Sequence, residues 1–84
     1  MTKSITINQP VSITSMGFGR DMRAIPRRME YEGQTYHFAG SGLRTVVKKG
    51  EQMFQMLTMN DGSHDFHLRS DGRGGSWTLL SMSL

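Results

Sequence analysis

Turn-forming pairs punctuate this chain at close intervals: Glu32-Gly33, Lys49-Gly50 and Asp61-Gly62, followed by the glycine-rich Asp71-Gly72-Arg73-Gly74-Gly75. Such pairs supply the positive φ angles of two-residue hairpins, so the cadence predicts a small antiparallel β domain. Each pair also dictates which residues face each other across a ladder. The hydrophobic pattern can therefore be checked against the turns.

The Glu32-Gly33 pair agrees with its flanks. It sets Met29 opposite Tyr36 and Arg27 opposite Phe38 on one face, and Glu30 opposite Thr35 and Arg28 opposite His37 on the other. One side is apolar with an arginine at its margin, and the other is polar, which places Tyr36 and Phe38 in the core.

The next two turns disagree about a shared strand. A turn at Lys49-Gly50 brings Lys48 opposite Glu51, Val46 opposite Met53, Thr45 opposite Phe54 and Leu43 opposite Met56. A turn at Asp61-Gly62 pairs Leu57 with Phe66, Gln55 with Leu68 and Met59 with His64. The odd-numbered face of residues 53–59 is then apolar while Phe54 and Met56 crowd the even one. Cover on both sides, by barrel closure or another chain, or a bulge between Met53 and Leu57 would reconcile them. Leu43, Val46, Val47, Met53, Phe54 and Leu57 also fall on helical spacing behind a capping Ser41. Against a helix, Gly50 would cost about 1 kcal/mol relative to alanine, and Thr45-Val46-Val47 favours a strand.

Residues 4–13 alternate Ile5, Ile7, Gln9, Val11 and Ile13 with polar partners, which reads as a strand that Pro10 confines to an edge or splits. Ser15–Asp21, with two glycines and no period, reads as a loop. The last strand, Ser76–Met82, sets Trp77 and Leu79 on one face and Thr78, Leu80 and Met82 on the other. Together these elements predict one all-β domain over residues 1–84, a small antiparallel meander of about six to seven strands curled into a small barrel or strongly twisted sheet.

An 84-residue chain buries only roughly 60–65% of its unfolded surface, so a partner or second copy would help its stability. There is no cysteine, which removes disulfides, thiolate ligands and cysteine nucleophiles. No apolar stretch approaches the roughly 20 residues of a membrane span, and the N-terminus lacks a secretory core, so the expectation is an intracellular, cytoplasmic protein.

Most chemical motifs have simpler structural readings. His64 and His67 alternate in direction on a strand and cannot share a metal, and adjacent Ser63-His64-Asp65 cannot form a hydrolytic relay. Ala39-Gly40-Ser41-Gly42-Leu43 lacks the Gly-Lys-Ser/Thr ending of a phosphate loop and reads as a connection. Arg73-Gly74-Gly75 reads as a hairpin tip. No cofactor, metal or catalytic residue is expected.

Two binding readings remain. Apolar groups on both faces of residues 53–59 and 76–84 suggest a non-catalytic protein-interaction or homo-oligomerising domain, with Met53, Phe54, Met56, Met59, Leu80 and Met82 as candidate interface. The alternative is a nucleic-acid-binding small β-barrel using Arg23, Arg27, Arg28, Arg44, Lys48 and Lys49, although a net charge of +3 makes a weak field.

Overall fold

The computed structural model describes residues 3–20, 22–70 and 76–83. Within them run β1 (Ser4–Phe18), β2 (Ala24–Tyr31), β3 (Gln34–His37), β4 (Ala39–Lys49), β5 (Gln52–Asn60), β6 (Asp65–Ser70) and β7 (Trp77–Ser83). All pair antiparallel in one sheet ordered β3-β2-β1-β7-β6-β5-β4. Every neighbour follows in sequence except β1 and β7, which join the two ends of the chain. β3 and β4 lie at opposite edges, yet a single residue, Phe38, links them. Such a link spans at most about 7 Å, so the sheet must curl until its edges nearly meet at that end. The outcome is a half-barrel meander with an unpaired seam between β3 and β4.

The interior of the curl holds the core: Ile25, Met29, Phe38, Leu57, Met59, Phe66, Leu68 and Leu79. Phe66 sits at its centre, with the Tyr36 ring centroid at 5.1 Å and the Phe38 centroid at 5.2 Å, both tilted. Those contacts fasten β3 and the Phe38 link onto β6 across the barrel, each adding about 0.5–1.5 kcal/mol beyond area burial.

The Glu32-Gly33 hairpin has the expected register, with Met29 facing Tyr36, Glu30 facing Thr35 and Arg28 facing His37. Both turn residues have positive φ, 50° and 77°, as a type I′ turn requires. Arg27 still meets Phe38, whose N–H donates to the Arg27 carbonyl at 2.8 Å.

The other two registers differ from expectation. Lys49 faces Gln52, so Gly50-Glu51 makes the turn; Gly50 has φ 62° and stands first in the pair, the arrangement of a type II′ turn. At the next connection Asn60 faces Asp65 around a four-residue loop. The Asp61 Oδ1 accepts the N–H groups of Ser63 at 2.9 Å and His64 at 2.8 Å, and those bonds favour the wider loop over a two-residue turn. Each slip moves facing partners by two residues, which changes neighbours but preserves faces. Leu57 and Met59 accordingly point inward, while Phe54 and Met56 lie half-buried outside, where the Arg69 guanidinium covers the Phe54 ring at 5.8 Å. No bulge interrupts β5 between Met53 and Leu57.

Bulges occur elsewhere. β1 runs on to Phe18 through the segment expected as a loop, of which Asp21 lies outside the described residues. It pairs with β7 over residues 4–11 and with β2 over 12–18, so Pro10 sits where β7 is the one registered neighbour. Ala39–Leu43 is not a plain connection but the irregular start of β4, where Gly40 and Gly42 have φ of 71° and 66°. In β7 the register shifts around Leu80, which turns Met82 to the core side with Leu79, contrary to simple alternation.

Candidate functional site

Where β4 should meet the first hairpin, side chains replace a backbone ladder. The β1–β2 register skips Arg27, and this bulge lays its side chain over Gly17, where a Cβ would lie 2.7 Å from Arg27 Nε. From there Arg27 donates through Nη1 to the Gly40 carbonyl at 2.6 Å and through Nη2 to the Phe18 carbonyl at 3.3 Å. The Arg20 N–H donates to Ser41 Oγ at 3.2 Å. Arg44 Nη2 donates to the Ala24 carbonyl at 2.8 Å, and its Nη1 donates to Gln55 Oε1.

Beside this stitching, an open cleft of about 410 Å³ is lined by Met16, Arg23, Ala24, Arg44, Gln55, Ser70 and Trp77. It marks the mouth of the half-barrel, where β1, β2, β4, β5, β6 and β7 converge.

Past the Gly40 and Ser41 stitches, β4 continues as an edge of the sheet, with the Arg44 side chain still reaching across to the Ala24 carbonyl. Over residues 43–49 it pairs with β5, and no described strand lies on its other side. Arg44, Val46 and Lys48 face Leu57, Gln55 and Met53 on one surface; Leu43, Thr45, Val47 and Lys49 face Thr58, Met56, Phe54 and Gln52 on the other. Leu43 is 74% exposed, Val46 47% and the neighbouring Met53 59%. Residues 39–50 contain Arg44, Lys48 and Lys49 and no carboxylate.

The candidate interface residues of the sequence reading are divided by this fold. Met53 stands exposed beside the β4 edge; Phe54, Met56 and Leu80 are half-buried, Met82 packs against the core, and Met59 is fully buried within it. Leu43 and Val46 escape sequence reasoning because nothing local shows that β4 lacks a second neighbour; the lysines that follow are the one signal, since edges commonly carry them.

The candidate nucleic-acid residues are also dispersed. Arg27 and Arg44 bridge the seam, and Arg23 lines the mouth. Arg28 donates through Nε to Thr14 Oγ1 at 2.8 Å on β1. Lys48 and Lys49 are exposed at the β4–β5 tip. Phe38 is buried and Tyr36 packs against the core, so neither presents a stacking face.

The histidines occupy separate settings. His67 Nδ1 meets Thr58 Oγ1 at 3.0 Å, and His64 Nδ1 lies 4.0 Å from Asp61 Oδ1. Partial burial raises the Asp61 carboxyl pKa, but the N–H groups of His64 and Ser63 outweigh that and hold it below the ordinary carboxylate range. Comparison with protein-family models, with curated proteins and with solved structures found no match.

Proposed function

We propose that this protein is a non-catalytic protein-interaction domain that works by strand addition at the β4 edge. The observation that supports it is the seven-residue run 43–49: a strand with β5 on one side, no described strand on the other, and Leu43 and Val46 exposed along it. An edge of this kind offers a row of backbone donors and acceptors that an incoming extended chain can pair with, while side chains of alternating direction set preference. The meander supplies a frame that holds the edge, and the Arg27 and Arg44 bridges anchor the start of β4 to β2.

The nucleic-acid reading has less support, because Arg27 and Arg28 are spent on intramolecular hydrogen bonds and the nearby aromatics line the core.

An NMR titration tests the proposal. Isotope-labelled protein is mixed with octapeptides alternating valine with glutamate, serine or lysine, and separately concentrated alone to allow self-pairing. Shifts and slowed amide exchange at residues 43–49 in any of these samples support edge addition. Consecutive amides of a strand point to opposite sides, so one of Thr45→Pro and Val46→Pro blocks the edge without breaking the β4–β5 ladder. The variant that keeps its unfolding midpoint must lose those shifts. Shifts confined to other strands, or absent throughout, would overturn the proposal.

A further inference from the structure

We infer that the occupant of the β4 edge is an acidic extended segment of another protein rather than a second copy of this chain; the inference rests on the edge reading above. Residues 39–50 carry positive charge without a carboxylate, and Lys48 and Lys49, both exposed, occupy opposite faces of the strand. A second copy added antiparallel keeps each face continuous across the junction. Centred on Val46, it sets Lys48 of one chain directly opposite Arg44 of the other, twice. Centred on Thr45 or Val47, it places Lys48 diagonal to a cation of the other chain. Like charges at these positions destabilise a ladder, so the edge disfavours its own copy, as charged edges do generally. An incoming strand with carboxylates flanking apolar residues meets the opposite situation. When its acids alternate with apolar residues, it can set its acids against Lys48 and its apolar side chains beside Leu43 on the other face, or its acids against Lys49 and its apolar side chains beside Val46. Nucleic acid shares the negative charge but has no backbone donors and acceptors to match an edge strand set with exposed aliphatic side chains.

Fluorescence anisotropy with the three labelled octapeptides tests the occupant. The glutamate–valine peptide is expected to bind wild-type protein tightest, to weaken as salt rises, and to lose about tenfold in affinity with the double variant Lys48→Glu, Lys49→Glu, which should instead take the lysine–valine peptide. Both lysines are exposed at a hairpin tip, and an unchanged urea midpoint verifies that the variant folds. If all three peptides shift residues 43–49 equally, the edge stands and the acidic occupant falls. If none reaches those residues, both fall. Concentration-dependent dimerisation seen by light scattering and lost in the edge-blocking proline variant, or displacement of the acidic peptide by a single-stranded oligonucleotide, would also overturn the acidic-partner inference.

Discussion

Arg27 in β2 donates from Nη1 to the carbonyl oxygen of Gly40 in β4 at 2.6 Å, across a seam that no backbone ladder between β3 and β4 closes. The same guanidinium reaches the Phe18 carbonyl, so one side chain joins three strands. Its reach depends on Gly17, whose missing side chain leaves room for the arginine stem.

Arg27→Ala is expected to cost about 1–3 kcal/mol, because two carbonyls lose a charged donor. Gly17→Ala should cost a comparable part of that by displacing the stem. The two changes act on one contact, so the double variant should be less destabilised than the summed singles, as measured by urea unfolding. Full additivity would show that the seam is held by something else.

Phe66 is buried beneath Tyr36 and Phe38 and carries the join between the first hairpin and β6. Phe66→Ala should cost about 3–5 kcal/mol, comparable with the whole stability of a marginal domain. The single Trp77 packs against the same core, so its fluorescence reports the transition. Phe66→Leu should retain a cooperative transition with a smaller loss.

Gly40 and Gly42 share a left-handed backbone but not their surroundings. A Cβ at Gly40 meets nothing within 4 Å, whereas at Gly42 it would lie 2.5 Å from Met59 Sδ and 2.6 Å from the Thr58 carbonyl oxygen. Gly40→Ala is expected to cost about 1–2 kcal/mol from backbone strain alone. Gly42→Ala should cost about 1–3 kcal/mol more, because a backbone oxygen cannot move aside. Equal unfolding midpoints for the two variants would contradict this packing.

The Asp61 carboxylate ties its loop through the N–H groups of Ser63 and His64. Its folded pKa lies below the unfolded value of about 3.9, so the stability it adds is fully present above roughly pH 5 and is lost as pH falls through the folded pKa. Asp61→Ala should cost about 1–2 kcal/mol at neutral pH. Urea midpoints of wild type and variant should converge as pH falls below about 4; a constant gap from pH 7 to pH 3 would refute the assignment.

The fold class, the sequential hairpins and the inward faces of β2 and β3 were legible from turn chemistry and alternation, whereas the inward face of β5 was not, because Phe54 and Met56 crowd the face opposite Leu57 and Met59. Face assignments survived the two misread registers because each slip moved the pairing by two residues. The slips themselves came from local chemistry that letters alone do not order. Gly50 serves as the first turn residue rather than the second, and the Asp61 carboxylate binds two amides and widens its loop. The bulges at Arg27 and Leu80 were not legible, because a bulge leaves no period and is set by what its side chain finds across the barrel.

The candidate site was legible only in pieces. Its β-branched run and lysines stand in the chain, but exposure of Leu43 and Val46 follows from which strands are neighbours. Local sequence by itself determined that the chain alternates, turns and returns, since φ preferences and side-chain period act over a few residues. Tertiary structure alone decided that β1 pairs with β7, that Arg27 and Arg44 bridge the remaining seam, and that β4 is left as an edge. Those outcomes depend on how far a curled sheet closes, which is set by packing around Phe66 among residues distant in the chain.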